Sequence, residues 1–402
     1  MRFIPFGFMR GGLNTIPTPE VCFNQTVAQS SGFTDIKVKY NSLTNNINII
    51  GFFNKLSYTL PGPIITTNNS LNELSYEGVI NTGITIGTGF NNNAGTIDYQ
   101  SDGKLIIGGN FTTYSGITTN RIIRLNTNYT KDTSFNMGTG FNSNSVFNVK
   151  VQSDNKILVT GNFTSYNGVT VPKILRLNSD GTLDTAFNSN VTSASLVDAD
   201  IPQSRPIIIQ PDGKILTGGL SYSTAQGLVR LNSDGTVDTS FSTNMGIGFN
   251  SGGYPEAVNG MCLQADGKIV CTGDFSTFNT GSTVNQQSIL RLNSNGTFDS
   301  TFNVPFGSST FYSFSPMVQY IPSSGKILCG GDTSYGLPKF TRLNTNGTID
   351  NTFGYDAIFQ NGTPHSFEIL PNEKILFSYE INGGFVPIWA ARMNSNGSED
   401  IC

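Results

Sequence analysis

A long motif recurs along this chain: V-x-V-Q-x-D-G-K-I-L-x-G-G-x-F, a loop of variable length, then I-x-R-L-N-x-D-G-T-x-D-x-x-F. A period of roughly 50–60 residues means that one supersecondary unit is used over and over. A unit of that size cannot bury its apolar face alone and must stack against copies of itself. Lys104, Lys156, Lys214, Lys268, Lys326 and Lys374 mark the first half of six copies, and Arg124, Arg176, Arg230, Arg291, Arg342 and Arg392 mark the second half. A worn copy precedes them. Ile36-Lys37-Val38-Lys39 matches the first strand, Asn48 to Phe53 the second, and Pro63-Ile64-Ile65 the third, which makes seven units.

Each unit reads as four short strands. In the copy around Lys214, Ile207 to Gln210 is β-branched and apolar, and Pro211-Asp212-Gly213 is turn chemistry. Lys214 to Gly219, Leu228 to Leu231 and Val237 to Phe241 read as the remaining strands, with a tight turn at Ser233-Asp234-Gly235-Thr236. The glycine pairs at 108–109, 218–219 and 330–331 fall inside strands, where a missing side chain points to close approach of another backbone. No segment carries the 3.6-residue period of a long amphipathic helix.

Seven four-stranded antiparallel units point to an all-β, seven-bladed β-propeller, because radial repetition leaves only short, protected sheet edges. A linear solenoid would need polar caps at both ends. The last copy instead ends early, at Asp400-Ile401-Cys402, without the closing Phe-Asn of its siblings. Near the start, Cys22-Phe23-Asn24 stands where that Phe-Asn pair would be. The N-terminal strand is therefore expected to complete the last blade, with Cys22, Phe23, Asn24, Asp400 and Cys402 at the closure. Cys22 and Cys402 then lie close enough for a disulfide to be one outcome.

Gln100 to Phe111 (QSDGKLIIGGNF) and Arg176 to Asn188 (RLNSDGTLDTAFN) resemble the two halves of the delta-60 repeat, a β-propeller repeat of bacteriophage structural proteins and bacterial surface proteins. The resemblance covers roughly residues 20–402. It implies the fold and a setting, a phage particle or a bacterial surface. It implies no catalytic motif, since propellers host many activities.

A length of 402 residues ordinarily suggests two or three domains. A closed ring overrides that: residues 20–402 are expected to form one domain, preceded by an N-terminal docking or tail peptide over 1–19. Within that peptide Phe3, Ile4, Phe6, Phe8 and Met9 make an apolar cluster that calls for a covering partner, a frayed tail being the alternative. Met1 to Gly12 lacks the long apolar stretch and small-residue cleavage site of a signal peptide. No run reaches the length of a membrane span. Charged residues are 12 % of the chain and the net charge is −4, with no basic stripe to bind nucleic acid.

Candidate chemistry is sparse. The one histidine, His365, reads as a polar loop residue before a strand rather than a catalytic base. The cysteines, Cys22, Cys262, Cys271, Cys329 and Cys402, have no metal-ligand spacing. A two-residue hairpin at Asp266-Gly267 would set Cys262 opposite Cys271, either as packed thiols or as a cross-strand disulfide. Asp102, Asp212, Asp266, Asp180 and Asp234 lack the full array of a calcium loop and read as turn residues. The repeated arginines are expected to bond Asp184, Asp238, Asp299 or Asp350 of their own hairpins. The loops Thr112 to Thr119, Thr164 to Val169 and Ser276 to Ser288 have the Tyr, Asn, Ser, Thr and Gly content of adaptable binding surfaces.

Glycosidic chemistry would need a carboxylate pair. Glu20, Glu73, Glu77, Glu256, Glu368, Glu373, Glu380 and Glu399 are scattered in sequence. The expectation is therefore a non-enzymatic virion structural protein of a tailed phage, at the tail, baseplate or capsid exterior, with no cofactor. Its partners would be other virion proteins and a host-surface glycan or receptor, with no nucleic acid and no membrane insertion. Extracellular or bacterial-surface adhesion, or glycan binding, is the alternative; a polysaccharide-active enzyme stands further off.

Overall fold

The computed structural model describes residues 24–28, 37–50, 55–58, 71–75, 86–142, 145–191, 206–218, 227–251, 254–255, 258–273, 275–279, 283–284, 288–305, 317–331, 340–354, 362–381, 388–398 and 400. The docking cluster Phe3, Ile4, Phe6, Phe8 and Met9, and the closure residues Cys22, Phe23 and Cys402, lie outside the described residues.

Small antiparallel sheets repeat along the chain, each with its second strand in the middle. In the second unit Ala94–Tyr99, Leu105–Gly109 and Ile122–Leu125 pair in this way. The middle strand is buried at all five positions, an unbroken apolar run rather than an alternating one, because neighbouring sheets cover both of its faces. The cores accordingly lie between units. Ile106 and Ile122 of the second unit pack with Phe141, Val149 and Val159 of the third, and Cys262 and Val270 of the fifth pack with Val318 and Cys329 of the sixth. Where sheets meet, side chains are excluded. A Cβ on Gly108 would sit 2.4 Å from Val146 Cγ1 of the third unit, and one on Gly218 would sit 2.2 Å from the Val258 carbonyl oxygen of the fifth. This is the close approach that the paired glycines anticipate.

Among the described residues the repeating sheets of the first six units have three strands, not four. After the second turn only a single bridge forms, Leu231 with Val237 in the fourth unit, and the chain then coils into the short helix α2, Thr239–Met245. The third unit does the same with α1, Thr185–Asn190. The reason is Asp238, whose side chain accepts the Phe241 amide at 3.3 Å, and Asp184, which accepts that of Phe187. An N-cap at that spacing ends the extended backbone and starts a helical turn.

The last sheet differs. Beside Ile388–Met393 it adds Asn24–Ala28, with Asn24 opposite Ala391, and then Lys55–Tyr58.

In the fifth unit the first turn is a three-residue hairpin. Gln264 N donates to the Lys268 carbonyl and Gly267 N to that of Gln264, with Gly267 at φ 80°. The extra residue shifts the register, so Cys262 pairs with Val270 and Met261 with Cys271. Cys262 and Cys271 therefore point to opposite faces and cannot be bridged; with Cys329 they are free buried thiols. Burial pushes all three upward, Cys329 to about 12. We expect these thiols to resist DTNB in the native protein and to react at once in guanidinium, with peptide mapping to separate them from Cys22 and Cys402. Fast native labelling of Cys271 would contradict the burial.

One polar constellation binds each of the second through sixth units to the next. Arg291 Nε donates to Asp299 at 2.7 Å, Lys268 Nζ lies 2.9 Å from the same carboxylate, and the Arg291 guanidinium lies 4.6 Å from the Phe302 ring centroid. Arg291 Nη1 then reaches across to the Thr345 carbonyl in the turn of the sixth unit. The same clamp joins Arg124 to Asp132 and Ser179, Arg176 to Asp184 and Ser233, Arg230 to Asp238 and Ser294, and Arg342 to Asp350 and Ser395. Asp400, read from the sequence as a closure residue, occupies the aspartate position of the last clamp, with Lys374 and Arg392.

Burial pushes the Asp299 carboxyl upward, but hydrogen bonds from Thr301, Lys268 and Arg291 outweigh it and hold the group well below its usual 3.8. Asp132, Asp238 and Asp350 are depressed in the same way. A carboxyl depressed in the folded state stabilises above its unfolded value and loses that contribution as pH falls below it. Thermal stability should therefore hold from neutrality to about pH 4 and fall steadily below. A circular-dichroism melting series from pH 7 to pH 2 checks this; a decline already complete by pH 5 would contradict it.

Candidate functional site

From the second unit onward the clamp arginines sit on the third strand of each sheet. On the first strands, the residue two places before the first turn forms a column that runs from unit to unit: Lys39, Asp98, Lys150, Ile208, Cys262, Gln319 and Glu368. Neighbouring members interact. Lys39 Nζ lies 3.2 Å from Glu368 Oε1, and Lys150 Nζ lies 3.3 Å from Asp98 Oδ2. Asp98 Oδ2 also accepts the Val151 amide at 2.8 Å, and the Gln319 amide group spans Phe367 O and Ile369 N. Glu368 raises the Lys39 pKa most; burial opposes it and Asp98 adds to the rise. The strands of the first and last units are joined again by Val38 N donating to Ser366 Oγ at 3.3 Å.

Over the charged part of this column lies a depression of ≈ 480 Å³. Lys39, Asp98 and Glu368 line it with Tyr40 and Tyr99, and Ser42 and Ser153 contribute hydroxyls. The Tyr99 hydroxyl is fixed by Asn48 Oδ1 at 2.6 Å. Two carboxylates and an ammonium converge here. Glu368 sits among scattered glutamates in the sequence, and Asp98 and Lys39 belong to different units, so nothing along the chain pairs them. The signal was the column itself, legible once the copies are aligned on their first turn.

Other expectations resolve differently. His365 lies within Gly362–Ile369, at the register shift between Pro364 and Ser366, not in a loop before the strand. Asp102 Oδ1 accepts the Lys104 amide at 3.1 Å, and Asp180 Oδ1 accepts the amide and hydroxyl of Thr182, so both are turn residues. The binding-loop reading needs correction for the aromatics. Tyr114 is 2 % exposed, Tyr166 1 % and Phe278 0 %, each filling the space under a small hairpin. Their rings pack on Phe90, Phe141 and Phe249, and the Tyr114 and Tyr166 hydroxyls donate to the Tyr129 and Gly181 carbonyls. What these loops expose is their tips, with Ile117 and Val169 about half exposed. Among the described residues no group of three or more metal-ligating side chains is found, and no helix is long and apolar enough to cross a membrane.

Five segments, residues 100–135, 152–187, 210–241, 264–302 and 323–353, match the model of a β-propeller domain of unknown function (DUF5122). They correspond to the second through sixth units. No curated protein matches the chain. Among solved structures, the extracellular domain of a one-component system from B. thetaiotaomicron is 14 % identical over 93 % of this chain, with a TM-score of 0.48; the chain spans 40 % of that protein. A gluconolactonase from Xanthomonas campestris is 12 % identical over 92 % of this chain and 97 % of its own, with a TM-score of 0.35. A calcium-binding regucalcin from Agrobacterium tumefaciens is 10 % identical over 92 % of each chain, with a TM-score of 0.37.

Proposed function

We propose that this chain, built of repeats of a β-propeller family, is a non-enzymatic structural module that presents its loop face to partner proteins or to a host-surface glycan. The observation that carries this reading is the clamp. It takes the repeated Lys, Arg and Asp of the second through sixth units into fixed bonds within the frame and across to the next unit. Charge spent in this way builds stiffness, and a stiff frame with projecting hairpin tips suits display.

The frame is proposed to be one domain over residues 20–402, a closed ring of seven blades. Support comes from the first strands, which touch one another in cyclic order, Lys37–Asn41 meeting both Gly362–Ile369 and Ala94–Tyr99, and from the addition of Asn24–Ala28 to the last sheet. The setting, a tailed-phage tail, baseplate or capsid exterior, rests on the resemblance of the repeats alone. Residues 1–19 would dock on a neighbouring virion protein. Mass spectrometry across a density gradient of lysate tests the setting. Stoichiometric co-sedimentation with intact particles is expected. A free 43.3 kDa chain, or one following envelope fragments, would move the module to a bacterial surface.

A further inference from the structure

The sibling units act as internal controls for the charged column. At the same structural position the fourth and fifth units carry Ile208 and Cys262, so the frame does not require charge there. The sixth carries Gln319, whose neutral amide ties its strand to the next through both Phe367 O and Ile369 N. Charge is confined to four neighbouring strands, in the order Glu368, Lys39, Asp98, Lys150. Placing charges at such a position has a desolvation cost that the neutral siblings avoid. Asp98 is 12 % exposed, Glu368 20 % and Lys39 27 %.

The order of signs restricts the ligand. Lys39 pairs with Glu368 inside the depression and Lys150, outside its lining, pairs with Asp98, so each carboxylate already has an ammonium partner, which disfavours both a metal cation and an anion such as phosphate. A hydroxyl can donate to a carboxylate while accepting from the ammonium beside it, so a row of alternating charges suits a neutral molecule carrying several adjacent hydroxyls. The depression above the row has the size of a small-ligand site and includes Tyr40 and Tyr99. Its groups are held in place before any ligand arrives, Asp98 by the Val151 amide and Tyr99 by Asn48.

We propose that the depression at Lys39, Asp98 and Glu368 binds an uncharged hexose residue of a glycan. This rests on the display-and-binding part of the reading above and not on the particle setting. The test is saturation-transfer NMR on the intact chain with glucose, galactose, mannose and N-acetylglucosamine, and with sialic acid and glucosamine as charged comparators. At least one neutral hexose is expected to receive saturation. Asp98→Asn and Glu368→Gln, each checked for native circular dichroism, should weaken it by about tenfold or more. Asp266→Asn, in the turn of a unit away from the charged row, should leave it unchanged. Should Asp98→Asn fail to fold, Lys39→Gln, also in the lining, takes its place. No saturation of any neutral hexose, binding only of the charged comparators, or binding indifferent to the substitutions in folded protein would each overturn the proposal. Particle association is read separately by sedimentation, so either reading can fail without the other.

Discussion

Asp299→Ala is expected to destabilise the protein by about 3–5 kcal/mol, the range for removing one partner of a buried ion pair. Asp299 is 4 % exposed and receives Arg291, Lys268 and Thr301. Without it the guanidinium keeps Gln264 and the Thr345 carbonyl but stays buried with its charge unmatched. Lys268 suffers less, since its side chain is 29 % exposed and can turn to water. Two controls separate the clamp from charge loss in general. Asp102→Ala removes a carboxylate whose side chain is 54 % exposed and should cost about 1 kcal/mol or less. The paired replacement Arg291→Met with Asp299→Leu should cost much less than Asp299→Ala, because no buried charge is left behind. Urea unfolding measures all three. An Asp299→Ala cost equal to that of Asp102→Ala would show that the clamp contributes nothing beyond a surface ion pair.

Phe241→Ala should have an effect of similar size, about 3–5 kcal/mol. The ring is fully buried, lies 4.2 Å below the Arg230 guanidinium, and meets Gly296 of the following unit. Gly296 has φ 95°, and a Cβ there would sit 2.9 Å from the ring, so the ring and the turn are fitted to each other. The substitution thus removes a plug from the seam as well as a side chain from a core. Phe353, at the same place in the sixth unit, is only partly buried and its alanine variant should cost less. Equal losses at the two positions, read by urea unfolding, would separate the effect from burial.

Much of this organisation is legible along the chain, and the limits have identifiable causes. Unit boundaries and the Arg-to-Asp pairing eight residues apart follow from the repeat, because each copy confirms the others. The strand reading of Val237 to Phe241 failed because its alternation is that of a strand. Only Asp238, three residues before Phe241, signals an N-cap, and a cap and a strand residue look alike until the backbone is known. Cys262 was set opposite Cys271 by counting a two-residue loop where Gly267 makes a three-residue one. Tyr114 and Tyr166 have the sequence context of surface aromatics, yet the hairpin above each leaves a cavity that only a ring fills. The Lys39, Asp98 and Glu368 group was hidden because it is assembled across units.

The clamp has a direction, since the arginines of the second through sixth units each grip the turn of the unit that follows. The register of the first sheet sets Glu73 opposite Asn48, where the second unit has Arg124 opposite Ile106, so the first unit brings no guanidinium to its successor. The receiving turn of the second unit differs to match: it reads Asn126-Thr127-Asn128-Tyr129, and the Tyr129 hydroxyl takes a 2.7 Å bond from Asn48 instead. Plug and socket are thus interchangeable from the second unit onward and custom-made before it. A gene encoding such a chain can lengthen or shorten by recombination among its later copies without inventing a new joint, whereas a copy spliced in directly behind the first would arrive with a socket that nothing fills.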